Sequence, residues 1–474
     1  MIPRIICVTL CIGGLCSHAH AQARPFPTDS IDRFVQTEMK RQHTPGMSVA
    51  VLVGDSVMLA RGYGFANLEL SVRASDSTIY QSGSVGKQFT SALVLMLVEE
   101  GRLGLSDPII RYLPEGKQRW KGITVRHLLT HTSGIPEYTD SVVDLRRDYS
   151  EDQLVRLAAG LPLLFAPGAR WSYSNTGYLL LGVLVHRVTG TFYGDLLRDS
   201  IFTPLGMRSA RVISEEDIVS NRAAGYRLVH GEVKNQEWVS PALNTTADGS
   251  LYLSLRDYER WAVALNHRER PSARVLEMAW TPVPLARGGT YPYGDGWFLI
   301  PQRGHQRIGH TGAWQGFRTS IQRYPEFDMT VIVLANLENA TPGPISEAIA
   351  GIVQPALAAP QTLEPDSNPD SLAAQSSGVL NAITADRENS ERETPGFRRF
   401  AIPAWRKELR QEVKPVASWT PLICDTLAPG AFMYLGAEIT RMCYVRGTGP
   451  EASVLAGVYY SADRRLAGIE INDY

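Results

Sequence analysis

Strand-like runs lie at both ends of a long segment of this chain, and helix-like runs lie between them. Near its start, residues 46–54 (GMSVAVLVG) and 57–66 (VMLARGYGFA) predict two β-strands joined by the turn Asp55-Ser56. From about residue 293 strands are predicted again, in YGDGWFLI, QRIGHTG, FRTSIQRYP and MTVIVLAN. Residues 102–225 are mostly helical in pattern. The sequence therefore predicts an α+β fold, in which an antiparallel sheet collects strands from both ends and a helical subdomain lies beside it.

The segment SGSVGK, residues 82–87, precedes the apolar run FTSALVLMLVEEG, for which we predict a helix from Ser84 to about Glu100. A phosphate-binding loop requires Ser or Thr after its Gly-Lys pair, and Gln88 stands there. A G-x-S-x-G nucleophile turn is also excluded. What remains is Ser84-x-x-Lys87, a spacing that puts both side chains on one helical face. A lysine of lowered pKa can activate a serine, but a capping serine followed by a surface lysine gives the same pattern.

Two further segments follow in order. Tyr173-Ser174-Asn175 lies in PGARWSYSNTGYLLLG, and His310-Thr311-Gly312 lies in GHTGAWQGF. With Ser84-x-x-Lys87, and with ITVRHLLTHTSGIPEY at 123–138, they resemble the penicillin-recognising serine hydrolases. These include class C β-lactamases, D-alanyl-D-alanine carboxypeptidases, D-aminopeptidases and family VIII carboxylesterases. Taken singly, Tyr173 also fits a packed loop aromatic, Asn175 a helix cap and His310 a hydrogen-bonded strand residue.

The resemblance implies a β-lactamase/transpeptidase-like catalytic domain over residues 28–356 and acyl transfer through a covalent intermediate. Ser84 would be the nucleophile, and Lys87 would lower the cost of deprotonating it. Tyr173 would carry the proton to the leaving group, if nearby cations hold its pKa down. The backbone N–H groups of Ser84 and Ala313 would form the oxyanion hole.

The resemblance assigns substrate binding to Asn175, His310, Thr311 and Gly312. β-lactamases usually carry lysine where this chain has His310, whereas histidine occurs there in some carboxypeptidases and aminopeptidases. Because an ordinary histidine is only partly charged at neutral pH, we expect a peptidase or esterase that acts on D-amino-acid-containing peptides or small esters. If His310 contacts a substrate carboxylate, its protonated form should bind anionic substrates better. The alternative is a β-lactamase, or a penicillin-binding sensor that is acylated without efficient turnover.

Two histidines four residues apart, His127 and His131, raise the question of a metal site. The Glu of an H-E-x-x-H motif is missing, since Leu128 follows His127. We therefore expect neither a metal nor a cofactor, and assign this segment to the scaffold.

The N-terminus, MIPRIICVTLCIGGLCSHAHAQA, is typical of a secretory signal peptide over residues 1–21. No other apolar run is long enough to span a membrane, so we expect export to a bacterial periplasm or beyond. The net charge of −1 argues against non-specific nucleic-acid binding. The expected partner is a small-molecule or peptide substrate, and the sequence leaves the oligomeric state open.

The polar, Pro/Ser/Glu-rich residues 357–396 are interpreted as a linker, and 397–474 as a small β-rich domain. The tail contains Cys424 and Cys443, the two cysteines that follow the signal peptide. In an oxidising compartment they are candidates for a disulfide.

Overall fold

The computed structural model describes residues 25–473, apart from 139–142, 287, 359, 361–362, 386, 388–389, 402, 431 and 451–452. The signal peptide expected at 1–21 lies outside the described residues. Across the part of the chain that is described, no helix has the length and apolar content needed to cross a membrane.

The α-helices are α1 (Thr28–Arg41), α2 (Lys87–Glu99), α3 (Val125–Leu129), α4 (Glu151–Gly160), α5 (Asn175–Thr189), α6 (Tyr193–Leu197), α7 (Leu255–His267), α8 (Ala273–Ala279), α9 (Pro342–Val353), α10 (Leu372–Thr384), α11 (Pro395–Phe400) and α12 (Pro403–Val413). The strands are β1 (Gly46–Val53), β2 (Ser56–Asn67), β3 (Val72–Arg73), β4 (Tyr80–Gln81), β5 (Arg211–Val212), β6 (Tyr226–Val229), β7 (Glu232–Asn235), β8 (Leu251–Leu253), β9 (Val283–Pro284), β10 (Thr290–Tyr291), β11 (Ile308–Trp314), β12 (Phe317–Tyr324), β13 (Met329–Ala335), β14 (Ser418–Thr426), β15 (Met433–Tyr434), β16 (Ala437–Thr448), β17 (Ser453–Ser461) and β18 (Leu466–Asp473).

The central sheet joins strands from the two ends of the catalytic segment, in the order β11-β12-β13-β1-β2-β3. Its neighbours are antiparallel, and β1 pairs with β13 so that Met47 lies opposite Ala335. The predicted α+β fold is confirmed. Two details differ: the first turn is Gly54-Asp55, because Gly54 supplies a φ of +58°. Second, residues 293–300 do not form the predicted strand, and within them Tyr293 and Phe298 make isolated bridges.

Strand β1 explains why the sequence there is apolar without interruption. Val49 and Val51 belong to a core that includes residues of α1 and α9, whereas Ala50 and Leu52 belong to the core of the helical subdomain. A strand buried on both faces loses the polar–apolar alternation of a half-exposed strand. The helical subdomain is therefore fixed against one face of the sheet.

Helix α2 runs through the core of the helical subdomain. It follows a 3-10 turn, Gly83–Gly86, so the α-helix itself begins at Lys87, three residues later than predicted. Val94 and Leu95 are fully buried within it. Burying side chains of this size contributes about 1.5–3 kcal/mol each, which fixes the start of α2 firmly in place.

The C-terminal region contains α10–α12 and an antiparallel sheet in the order β14-β16-β17-β18, with β15 paired to β16. The expected linker at 357–396 is not entirely open chain, because α10 lies within it. Ala373, Leu380 and Ile383 are buried there. They are seven and three residues apart, the spacing of one helical face, and Leu380 and Ile383 join the C-terminal core.

Cys424 and Cys443 form the expected disulfide. They lie directly opposite each other on β14 and β16. The bridge therefore joins two neighbouring strands of the C-terminal sheet.

The C-terminal core also includes residues of the catalytic segment. Val283, Tyr291 and Tyr293 belong to the same apolar cluster as the C-terminal strands. The partly buried Arg303 and Asp425 form an ion pair between the two regions at 2.9 Å. The two regions thus share a core.

Candidate active site

Ser84 lies in the 3-10 turn that leads into α2. Every residue from Thr78 to Leu95 is buried except Ser84, which is half-buried. Ser82 precedes the 3-10 turn and Gly86 caps α2, so Ser84 is the cap of neither. A hydroxyl that reaches the surface of a buried segment is placed to meet a substrate, which favours the nucleophile interpretation over the capping one.

Lys87 follows one turn later and is 0% exposed. Its Nζ donates to Ser84 Oγ at 3.1 Å, to Asn175 Oδ1 at 2.7 Å and to the backbone carbonyl of Asp248. Burial lowers the pKa of Lys87 from 10.5 to about 8, although two nearby carboxylates oppose the change. A surface lysine is therefore excluded, and the amine is within reach of a neutral form that accepts the Ser84 proton.

Two glycines bring the Ser84 turn and strand β11 together. Gly83 has a φ of +51°, and a Cβ there would lie 2.5 Å from the Ala313 nitrogen. A Cβ on Gly312 would lie 2.1 Å from the Ser82 carbonyl oxygen and 3.1 Å from the Ser84 nitrogen. Only residues without side chains allow this approach. The backbone nitrogens of Ser84 and Ala313 consequently lie on facing segments, as an oxyanion hole requires.

Tyr173 lies just before α5, and Lys87 Nζ is 5.0 Å from its ring centre. Its hydroxyl is buried beside Ser84 without a hydrogen bond of normal geometry. Burial raises the pKa of Tyr173 well above 10; the contact with Ser84 opposes the change, and neighbouring Tyr178 adds to it. The expectation that cations lower this pKa is wrong, because burial dominates although Lys87 lies nearby. The site holds a neutral phenol.

Asn175 is the first residue of α5, and its side chain is free to serve the site. The cap of α5 is Ser174, whose Oγ accepts from the Gly177 N–H, so the helix-cap interpretation of Asn175 is wrong. Asn175 Oδ1 accepts a hydrogen bond from Lys87 Nζ, and the backbone N–H of Asn175 donates to Glu137 Oε2 at 2.7 Å. The asparagine thus connects the lysine to a carboxylate.

Sequence reasoning missed two carboxylates near Lys87. Glu137 is half-buried, and burial raises its pKa, with Asp248 adding to the increase and Lys87 opposing it. Asp248 is 5% exposed; its Oδ2 accepts from Tyr138 at 3.0 Å, and its Oδ1 has no hydrogen-bond partner. In the sequence, Glu137 could have been noticed only by its place at the end of THTSGIPEY, and Asp248 only by the Asp-Gly pair in TADGS.

His310 lies on β11 with its ring turned inward, whereas the neighbouring Thr311 is exposed and Gly312 is buried. Its Nε2 lies 3.2 Å from Tyr293 Oη and its Nδ1 lies 2.5 Å from the Thr311 carbonyl. Burial lowers the pKa of His310 to about 3, and Lys87 adds to this decrease. The structure therefore does not support a protonated His310 that contacts a substrate carboxylate.

His127 and His131 do not face a common site. His127 Nδ1 accepts a hydrogen bond from the Thr124 N–H at the start of α3, whereas His131 Nε2 lies at hydrogen-bond distance, 3.1 Å, from Tyr293 Oη. Among the described residues, no group of three or more His, Cys, Asp or Glu side chains is arranged to hold a metal.

A family model described as Beta-lactamase matches residues 31–352. Penicillin-binding protein 4* of Bacillus subtilis (strain 168) is 31% identical over 318 residues, covering 63% of this chain and 70% of that protein. Protein flp of Staphylococcus aureus (strain MW2) is 28% identical, covering 65% of this chain. The match spans 63% of the length of flp, less than two thirds.

Solved structures show the same fold. The octameric penicillin-binding protein homologue from Pyrococcus abyssi has a TM-score of 0.63 at 22% identity and covers 94% of this chain and 98% of that one. The D-amino acid amidase from Ochrobactrum anthropi SV3 has a TM-score of 0.61 at 23% identity and covers 70% of this chain and 98% of that one. The match to the Pyrococcus abyssi structure extends beyond residues 31–352, the segment that the family model matches. Because that model spans residues 31–352, which hold all three ordered motifs, the chain belongs to the β-lactamase family of serine hydrolases.

Proposed function

We propose that this protein is an exported serine hydrolase that cleaves amide or ester bonds through an acyl-enzyme on Ser84, with peptidase or esterase activity. One observation carries the proposal: buried Lys87, with a pKa of about 8, donates to Ser84 Oγ at 3.1 Å. This is the arrangement of a serine nucleophile with a lysine base.

In the proposed reaction, neutral Lys87 takes the proton of Ser84 as Oγ attacks the carbonyl carbon. The backbone N–H groups of Ser84 and Ala313 stabilise the developing oxyanion. The Tyr173 hydroxyl donates its proton to the leaving group and accepts the proton that Lys87 took from Ser84. Tyr173 is therefore a neutral phenol again when the step is complete. Water then attacks the acyl-enzyme, and the same groups move the proton in reverse.

Charge in the site supports a substrate without a carboxylate next to the scissile bond. Glu137 and Asp248 lie near Lys87, and His310 is neutral near pH 7. A substrate amine is attracted to such a site, and a substrate carboxylate is repelled. We therefore propose amino-acid amides, peptides with a free amino end and small neutral esters as the substrate classes, with the D-configuration suggested by the family resemblance.

A second candidate is a penicillin-binding protein that is acylated and turns over slowly. The 31% identity to penicillin-binding protein 4* favours it. The neutral His310 disfavours an efficient β-lactamase, since no permanent cation stands at that position to hold the β-lactam carboxylate.

Export is proposed from the pattern of residues 1–21. The Cys424–Cys443 disulfide supports an oxidising compartment. N-terminal sequencing of the protein recovered from a secreting host tests it: a mature chain that begins near residue 22 supports export, and an intact Met1 contradicts it.

The central experiment compares wild type, Ser84→Ala and Ser82→Ala. A fluorophosphonate probe should label wild type and Ser82→Ala but not Ser84→Ala, and turnover by Ser84→Ala should fall about 10⁴-fold or more. The substrate panel contains p-nitrophenyl esters, D- and L-amino acid amides, D-Ala-D-Ala peptides and nitrocefin. Many turnovers per molecule support the hydrolase, whereas a single stoichiometric acylation by penicillin supports the second candidate. Full labelling of Ser84→Ala would reject both.

A further inference from the structure

A continuous chain of hydrogen bonds connects the segment that carries Tyr173 and Asn175 to strand β11. The Ser174 N–H donates to His131 Nδ1 at 3.1 Å, and His131 Nε2 lies 3.1 Å from Tyr293 Oη. Tyr293 Oη lies 3.2 Å from His310 Nε2, and His310 Nδ1 lies 2.5 Å from the Thr311 carbonyl oxygen. We call this the His131–Tyr293–His310 chain.

The two backbone ends fix the protonation of the Nδ1 atom of each imidazole. An N–H group only donates and a carbonyl only accepts. His131 Nδ1 must therefore be unprotonated, and His131 Nε2–H donates to Tyr293. His310 Nδ1–H donates to the Thr311 carbonyl, and because burial keeps His310 neutral, its Nε2 accepts the Tyr293 proton. Both imidazoles are neutral, each in one defined tautomer, and a proton added at His310 Nε2 would replace an acceptor with a second donor.

The chain is closed to water. His131 is 1% exposed, Tyr293 0% and His310 3%. Burial lowers the pKa of both histidines, which favours the neutral forms in this arrangement. The titratable groups that surround the two imidazoles and Tyr293 are Lys87 on α2, Tyr173 before α5, Tyr178 on α5 and Asp295 after Tyr293. In such surroundings an unpaired donor or acceptor is costly, so the chain favours a single arrangement of its residues.

We propose that His131 and Tyr293 are positioning residues: they hold His310 as the neutral Nδ1–H tautomer and fix β11 relative to the segment that carries Tyr173 and Asn175. This inference rests on the hydrolase activity proposed above. At one end of the chain, Ser174 stands between Tyr173 and Asn175. At the other end, Thr311 stands two residues before Ala313. The chain thus holds together the proton-transfer side and the oxyanion side of the site, where a misplacement of about 1 Å costs about 100-fold in rate.

Tyr293→Phe is the direct test, because it removes only the hydroxyl and keeps the ring that packs against Phe298 at 4.8 Å. The matched control is Tyr291→Phe, two residues away, where the ring stacks on Trp171 at 4.1 Å and lies outside the chain. On a neutral ester, we expect Tyr293→Phe to lower kcat about 10- to 100-fold with a smaller change in KM. Tyr291→Phe should stay within about twofold of wild type.

A merely structural tyrosine would not alter the histidine tautomers, so the second readout is ¹⁵N NMR of histidine-labelled full-length protein. In wild type, His131 should be Nε2–H and His310 Nδ1–H, and both should stay neutral below the ordinary histidine pKa. In Tyr293→Phe, His310 Nε2 loses its hydrogen-bond donor, so it should take up a proton at a higher pH than in wild type. The activity of the variant should therefore show a second decrease at acidic pH that wild type lacks.

These two readouts separate the inference from the proposed function. Activity that survives Ser84→Ala would reject the hydrolase mechanism, while the tautomers of wild type would still show whether the chain exists. A charged His310, or an Nε2–H tautomer there, in wild type would overturn the inference even if Tyr293→Phe failed to fold. Equal kcat and pH profiles for Tyr293→Phe and Tyr291→Phe would also overturn it.

Discussion

Lys87 Nζ lies 2.7 Å from Asn175 Oδ1, although 88 residues separate the two in the chain. This contact joins the start of α2 to the start of α5 inside the helical subdomain. Asn175 reaches the acidic part of the site, since its backbone N–H donates to Glu137, and Lys87 is close enough to Glu137 and Asp248 to feel their charge. The lysine is therefore held by fixed oxygen atoms, in a place where burial keeps its pKa low.

The pKa of Lys87 predicts the acid side of the pH–rate profile. The lysine must lose its proton to act as a base, so kcat/KM on a neutral ester should rise with pH and level off above an apparent pKa of about 8. The measurement is kcat/KM on a substrate that does not itself titrate. A profile that is already flat from about pH 6 upward, more than a unit below that pKa, would exclude Lys87 as the titrating base.

Glu137→Gln tests a carboxylate that opposes the lowering of the Lys87 pKa. Glu137 favours the charged form of Lys87, so its removal should move the acid limb of the profile to lower pH. Glutamine retains an oxygen that can accept from the Asn175 N–H, which limits the structural change. The same variant should lose relative activity on amino-acid amides compared with neutral esters. An unchanged pH profile and an unchanged substrate ratio would show that Glu137 acts on neither the lysine nor the substrate.

The buried, neutral His310 predicts how anionic substrates behave. From about pH 5.5 to 7.5, where an ordinary histidine titrates, the KM ratio of a carboxylate-bearing substrate to a neutral ester should stay constant. His310→Lys supplies a cation that wild type lacks, so it should raise relative kcat/KM on the anionic substrate. If that KM ratio in wild type rises with pH through this range, His310 is charged in the substrate complex.

The shared core predicts that the catalytic segment depends on the C-terminal region. Tyr291 lies 5.6 Å from Tyr434, and the Leu435 N–H donates to the Thr290 carbonyl. A chain ending near residue 358 would expose this face, so it should melt at lower temperature and hydrolyse esters more slowly than the full chain. Tyr434→Ala in the full chain should cost about 3–5 kcal/mol of unfolding free energy by creating a cavity. A shortened chain with the Tm and activity of the full one would instead agree with the interpretation of residues 357–396 as a linker.

The sequence by itself determined the order of the motifs, the buried helix that follows Ser84 and the α+β fold. These features depend on local patterns: strand β1 has a continuous apolar run because both of its faces are covered, and Ser84 and Lys87 share a helical face because they are three residues apart. Each pattern can be recognised without knowledge of the distant partners.

The tertiary structure decided the protonation states and the carboxylates around the lysine. Glu137 and Asp248 reach Lys87 only because loops distant in sequence fold over α2, and no spacing rule predicts that approach. Tyr173 and His310 were expected to be tuned by charge, but burial dominates both, and burial depends on what packs above a residue. Helix α10 was not predicted, because the composition of its segment is polar. Three apolar residues at helical spacing are a weak signal unless the sheet that covers them is known. The roles of His131 and Tyr293 depend on a tyrosine hydroxyl that lies between two histidines, 162 residues from one and 17 from the other.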